Sequence, residues 1–208
     1  RRYLGQRPTV VTTNLSLEAL ADRLGERTVS RLWGASLVVN ELPYNLISRA
    51  IEAEIMPFCE KRKIGIFGYM ALQQGILAGM YKTASDVPPP QAHSRHFKQE
   101  RGGKYSRHGG DGCEAEVFEA LEQMKELASQ NGLSLAELSI SWCIANPLIT
   151  STLVGTTKVK KLRENARIVD KPVSSKLRDA LDKITAPVLE RLGNSPDYYE
   201  PLGKGRIF

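Results

Sequence analysis

Residues Val154 to Asn165 read V-G-T-T-K-V-K-K-L-R-E-N and follow the apolar run Thr150-Ser-Thr-Leu-Val154. The pattern predicts a short β-branched strand over 150–154, a turn opened by Gly155, and a helix from about 158 to 168. Lys158, Lys160 and Lys161 fall in the first turns of that helix. The backbone N–H groups of a helix N-terminus are unpaired and attract anions, and a lysine beside them offers a charge for a phosphate. Taken alone, the same residues are better described as an ordinary strand–turn–helix with a solvated basic face.

Other residues carry chemical interest by position. Tyr69 stands at the end of an apolar run, and in parallel α/β folds ligands gather at the carboxyl ends of strands. An aromatic ring there can stack on a flat heterocycle. Gly75 and Gly79 bracket a loop where a ligand could approach the main chain. His93, His96 and His108 lie in one polar stretch with Cys113 just beyond, but their irregular spacing gives no metal motif. They read as residues of a solvated loop, with Arg95-His96-Phe97 as part of a lid over the cofactor or substrate mouth.

The elements that must hold these groups alternate between strand and helix. Leu37 to Asn40 reads as a buried strand, followed by a helix over 49–62 with Ile51, Ile55 and Phe58 on its apolar face and Pro57 expected to kink or end it. Ile64 to Phe67 is the next strand, so the segment predicts a parallel βαβ unit. Residues 81–113 contain three consecutive prolines and five glycines and predict a long polar loop. Two helices follow over 114–146, the first with Phe118, Leu121, Met124 and Ala128 on one face, the second capped by Ser134. Ser174 caps a last helix striped by Leu177, Leu181, Ile184 and Val188.

Several of these segments together resemble the C-terminal half of the aldo-keto reductases. In order, they are Val38-Val-Asn-Glu-Leu-Pro-Tyr-Asn45, Gly65-Ile-Phe-Gly-Tyr-Met-Ala-Leu72, Gln74-Gly-Ile-Leu-Ala-Gly79, Gly155 with Leu162-Arg-Glu-Asn165, and Pro196-Asp-Tyr-Tyr199. The resemblance covers about residues 36–208. It implies an α/β fold: part of a (β/α)8 TIM barrel, its C-terminal half, with the long polar loop and C-terminal helices. It also implies NADPH as cofactor, with NADH as the alternative, and a carbonyl substrate reduced by hydride transfer.

By that resemblance Tyr69 packs against the nicotinamide ring, and Glu41 stands where the family commonly has a glutamine that binds the carboxamide. Leu72, Gln74, Gly75 and Leu77 belong to the loop along the pyrophosphate. Gly155, Thr156, Lys161, Glu164 and Asn165 match the adenosine-end motif, Lys161 falling where relatives that prefer NADPH often have arginine. Where many relatives read Gly-Lys-Tyr, this chain has Gly79-Met80-Tyr81. The family's proton-donating tyrosine and its lysine, aspartate and histidine partners belong to the first half of the barrel, and no segment here matches them. A half-barrel exposes strand edges at both ends, so self-association or pairing with another half is the alternative expectation.

Residues 1–33 stand apart, giving two expected domains, 1–33 and 34–208. R-P-T-V-V-T-T-N-L-S followed by L-G-E-R-T-V-S-R-L resembles a fragment of the AAA+ ATPases of the helicase-loader and insertion-sequence type. There Asn14 would correspond to a γ-phosphate sensor and Arg31 to an interface arginine. No phosphate-binding loop accompanies them, so the segment reads as a strand, over 8–14, and helical turns without activity.

At 208 residues the chain can bury one sizeable core but falls short of the roughly 250 of a full barrel. The formal charge of +6 suits a phosphate-bearing ligand, while its even spread points away from nucleic acid. Three unpatterned cysteines fit a reducing cytoplasm. No apolar run approaches the roughly 20 residues of a membrane span, and the N-terminus lacks the apolar core of a signal peptide.

Overall fold

The computed structural model describes residues 22, 39–170 and 172–204. The chain divides into two compact units, Arg1–Val38 and Val39–Phe208. The strand and helix expected within residues 1–33 lie outside the described residues. Among those described, three strands form a parallel sheet in the order β1 (Val39–Pro43), β2 (Gly65–Tyr69) and β3 (Ser151–Thr152). The register pairs Val39 with Gly65 and Pro43 with Tyr69, then Phe67 with Ser151 and Gly68 with Thr152. The longer helices among the described residues are α1 (Ile55–Arg62), α2 (Glu114–Gln130), α3 (Leu135–Ile144), α4 (Val159–Ile168) and α5 (Ser175–Leu192).

Parallel strands need long crossovers, and α1 supplies the first of them. The helix begins at Ile55, later than expected, and Ala50–Glu52 forms a separate 3-10 turn. Pro57 sits in the first turn of α1, where an N–H would have no partner, so it neither kinks nor ends the helix. The later start also changes the buried face: Met56 and Cys59 pack inward, while Phe58 is exposed with Arg62 over its ring at 5.4 Å.

Alternate positions of the sheet go to opposite faces. Leu42 and Ile66 are buried, whereas Glu41 is exposed and Phe67 and Tyr69 are half-buried. β1 is therefore not a strand buried on both sides, as its apolar run suggested. It also extends past Asn40, placing Glu41 within the strand.

The helix caps agree with the sequence. Ser134 and Glu137 form a reciprocal capping box at α3, and the Ser174 hydroxyl accepts from the Leu177 N–H at 3.3 Å at α5. α5 is fastened to the core through Trp142. The Trp142 ring stacks on Tyr44 at 4.9 Å, lies under the Arg49 and Arg178 guanidiniums, and donates from Nε1 to Asp182 at 2.8 Å.

Residues 81–113 depart furthest from expectation. This segment is a packed structure in which Val87, Ala92, Phe97 and Cys113 join the core and Arg95, His96 and His108 are buried. Arg101 clamps the first turn of α2 through Glu114, with Nε–Oε1 at 2.6 Å and Nη2–Oε2 at 2.7 Å. The Arg95 guanidinium donates to the carbonyls of Leu192, Ser195 and Asp197, and its backbone N–H reaches the Tyr198 carbonyl. Arg95-His96-Phe97 is thus an anchor for the C-terminal tail, not an exposed lid. A polar segment can be buried when backbone carbonyls answer its donors, and composition alone does not reveal those partners.

His96 makes this anchor sensitive to acid. Its Nε2 lies 2.7 Å from the Ile47 carbonyl, which can only accept, so Nε2 carries the proton and Nδ1 accepts from the Ser94 hydroxyl at 3.0 Å. Burial pushes its pKa from 6.5 down to about 4, against the opposing pull of the Ile47 carbonyl, with Arg95 and His108 adding repulsion. The unfolded chain therefore binds a proton that the folded chain refuses, and stability is lost as pH falls from 6.5 toward 4. His108, lowered by burial first and then by Arg95 and His93, acts in the same sense. Urea denaturation should show wild-type stability falling by about 2 kcal/mol between pH 7 and 5, and a His96→Gln variant should flatten that slope. An equal slope in both proteins would show that His96 does not control it.

Candidate cofactor site

Two segments some 80 residues apart meet beyond the carboxyl ends of β2 and β3. Met70, Ala71, Leu72, Gln74, Gly75, Ala78 and Met80 form one wall of a cleft of about 390 Å³, and Leu153, Val154 and Gly155 form the other. The cleft exists because the chain leaving β2 turns sharply. Met70 (φ 59°), Gln73 (φ 41°), Gln74 (φ 51°) and Gly75 (φ 99°) all adopt left-handed backbone conformations. Non-glycine residues seldom occupy that region, and clusters of them mark constrained sites.

The structure brings four of the sequence-derived residues to this cleft: Leu72, Gln74, Gly75 and Gly155. Leu77 is fully buried in the core and does not line it. Glu41 lies on β1 and Tyr69 ends β2 opposite Pro43. Thr156 is exposed on the turn before α4, and its hydroxyl accepts from the Lys158 N–H at 3.2 Å. On α4, Lys161 pairs with Glu164 at 2.8 Å, Lys161 exposed and Glu164 and Asn165 half-buried. That pair raises the lysine pKa and lowers that of the carboxylate. A phosphate approaching Lys161 would have to compete with Glu164 for its ammonium.

The sequence reading missed Met70 and Met80. The Met80 sulfur lies 2.5 Å from where a Cβ on Gly75 would be, so this side chain folds across the loop. Tyr199 also reaches the cleft wall: its hydroxyl lies 3.3 Å from the Met70 sulfur, and its ring stacks on His93 at 4.8 Å. The quoted motif Pro196-Asp-Tyr-Tyr199 contained this residue, but nothing in its spacing indicated a contact with the loop after β2.

Three tyrosines have their pKa shifted upward. Burial raises Tyr44, Tyr198 and Tyr199, the last to about 12 with Tyr69 and Asp197 adding to the effect. At Tyr198 the Arg95 guanidinium, 5.6 Å from the ring, opposes the effect of burial without overcoming it. Tyr44 is committed to the core, donating to Glu52 at 2.7 Å and accepting from Asn146 at 2.8 Å. Among the described residues, no group of His, Cys, Asp and Glu is arranged to hold a metal ion, and no helix is long and apolar enough to cross a membrane.

A parallel sheet with crossover helices and a ligand-sized cleft at its carboxyl end is the arrangement of a (β/α) barrel in part. Residues 15–186 match the Aldo/keto reductase family, and the chain belongs to that family. The matched span begins within the N-terminal segment that the sequence reading set apart. A probable voltage-gated potassium channel subunit beta from Oryza sativa subsp. japonica is 30% identical over 162 residues, which is 77% of this chain and 47% of that protein. The L-glyceraldehyde 3-phosphate reductase of Escherichia coli K12 is 26% identical, over 67% of this chain and 39% of the reductase. A glycerol dehydrogenase from Gluconobacter oxydans shares the fold with a TM-score of 0.56 at 20% identity, over 82% of this chain and 48% of the dehydrogenase. The chain thus spans about half the length, or less, of these relatives. The family uses nicotinamide cofactors and acts on carbonyl substrates.

Proposed function

We propose that this chain carries the cofactor-binding half of an NAD(P)H-dependent oxidoreductase that reduces aldehydes or ketones. The observation that carries the reading is the meeting of the loop after β2 with Gly155 in one cleft, beside the basic N-terminal end of α4. The left-handed turns at Met70 and at Gln73 to Gly75 bring main chain to the cleft wall, as a pyrophosphate requires. Tyr69 would stack on the nicotinamide, and Glu41 would accept from its carboxamide. Thr156 and Lys161, with Lys158 near, would hold an adenosine phosphate, which favours NADPH over NADH. Glu164 and Asn165 would read the adenine. When bound, the nicotinamide supplies the hydride. The proton donor would come from the barrel half that these residues do not include, so this chain alone would turn over little or no substrate. Its three cysteines suit a reducing cytoplasm.

A fluorescence titration of the purified chain with NADPH tests this. Saturable binding is expected, weakened about tenfold in Lys161→Ala. No binding at millimolar cofactor would refute the reading.

A second reading, a noncatalytic module that pairs with another half-barrel, is favoured by α4. Val159 (67% exposed) and Leu162 (57%) on α4, and Val169 (60%) just after it, leave an apolar stripe uncovered. β1 and β3 each pair on one side only among the described residues. Sedimentation is expected to show concentration-dependent association, and a strict monomer at high concentration would refute pairing between copies. We further propose that residues 1–33 are a separate AAA+-like fragment. Source DNA that does not run continuously across codons 30–40 would support a join there.

A further inference from the structure

Between the cleft-lining residues Leu72 and Gln74 stands Gln73, which does not line the cleft and is buried at 4% exposure. Its Oε1 accepts from Asn45 Nδ2 at 2.8 Å and from the Ser48 hydroxyl at 3.4 Å. Asn45 is fully buried, and its amide orientation is set because its Oδ1 accepts from the Ile47 N–H at 3.0 Å. The same Nδ2 that reaches Gln73 also donates to the Met70 carbonyl at 2.9 Å. One asparagine of the turn after β1 therefore ties down two of the left-handed residues in the loop after β2.

The tether continues inward. Ser48 Oγ lies 3.3 Å from His96 Nε2, and His96 accepts from Ser94 through Nδ1. Ser94 donates to His96 Nδ1, the His96 Nε2 proton goes to the Ile47 carbonyl at 2.7 Å, and the Ser48 hydroxyl donates to Gln73. A buried network of this kind favours one geometry, since losing the Asn45–Gln73 link leaves a buried amide unpaired. The backbone it holds is one that non-glycine residues disfavour, so without the tether the loop has cause to relax.

We infer that Gln73 is a positioning residue: through Asn45 and Ser48 it locks the loop after β2 into the left-handed path that shapes the cofactor cleft, so the site is formed before the cofactor arrives. The inference rests on the reading of that cleft as a nicotinamide-cofactor site. Gln73 touches no cofactor in this account and acts only through the backbone of Leu72 to Gly75. Preformed loops bind more tightly because ordering is not charged against binding.

The test compares wild type and Gln73→Leu, which keeps much of the volume but has no acceptor. Each is titrated with NADPH and followed by amide hydrogen exchange. The expected result is NADPH affinity about tenfold weaker in the variant, with faster exchange confined to residues 70–79 and unchanged protection in α2, α3 and α5. Equal affinity in the two folded proteins would overturn the inference. Exchange that rises equally throughout α2, α3 and α5 would also overturn it, because the role would then be general stability. If Gln73→Leu does not fold, Ser48→Ala carries the same comparison with only one donor to Gln73 removed, and equal affinity there would overturn the inference. Absence of NADPH binding to wild type would refute the functional reading itself, an outcome distinct from binding that Gln73→Leu leaves unaltered.

Discussion

Replacing Gly112 by alanine is expected to destabilise the folded chain by about 3 kcal/mol or more. Two effects add. Gly112 has φ +69°, a region that costs an L residue roughly 1 kcal/mol. A Cβ there would also collide with the Phe97 carbonyl carbon, and would meet its oxygen at 2.5 Å and the Lys98 nitrogen at 2.7 Å. These are backbone atoms and cannot rotate aside as a side chain could. The segment they belong to is held on both sides: the Cys113 N–H donates to the His96 carbonyl at 3.2 Å, and the Lys98 N–H donates to Glu114 at 2.9 Å. Relief would require α2 to withdraw from the packed segment 94–98. Gly132→Ala provides the control, because Gly132 has φ +67° with nothing within 4 Å of its virtual Cβ. Urea denaturation should give a loss of about 1 kcal/mol for Gly132→Ala and a much larger one for Gly112→Ala. Similar losses would show that the close approach at Phe97 relaxes at little cost.

The second large effect falls on the cleft. Gly75→Ala should weaken NADPH binding tenfold or more, by about 1.4 kcal/mol at least, while leaving the helices folded. Gly75 has φ +99°, further from the allowed regions of other residues than its left-handed neighbours Gln73 and Gln74. An added Cβ would also lie 2.5 Å from the Met80 sulfur. That sulfur ends a flexible side chain that is 69% exposed, so it can move away. The backbone conformation cannot be relieved so easily, because Gln74 and Gly75 form the break between two helical turns in Gln73–Ala78. The double variant Gly75→Ala, Met80→Ala separates the two contributions. Little recovery of affinity is expected, since removing Met80 cures the clash but not the torsion. Full recovery would assign the loss to Met80 alone.

Much of the architecture was legible before any coordinates. Ser134 and Ser174 announced two helix starts because a hydroxyl that can accept from an N–H two or three residues on is useful only there. Leu121, Met124, Ala128, Leu181 and Val188 were readable as core because the 3.6-residue period places them on one face, and all five are buried. Gly75 and Gly155 could be singled out by motif. Phe58 could not be placed correctly, since the phase of α1 depends on where the helix begins, and Pro57 admits a start only shortly before it. The segment 81–113 was misread because glycine and proline content describes how a chain can bend, not what its polar groups will meet.

The sequence by itself determined the family, the alternation of strand and helix, the caps, the apolar stripes, and the loops from which a cofactor site would be built. Those properties depend on residue type and short spacing, which act over a turn or two of chain. Only the tertiary structure decided that the loop after β2 and the segment after β3 share one cleft and that Leu77 leaves it for the core. It also decided that Arg95 and His96 bind the C-terminal tail, and that Asn45 and Gln73 join two turns 28 residues apart. Each of these is a contact between groups distant in sequence, fixed by where parallel strands end and which buried donors find acceptors, and local pattern carries no record of either.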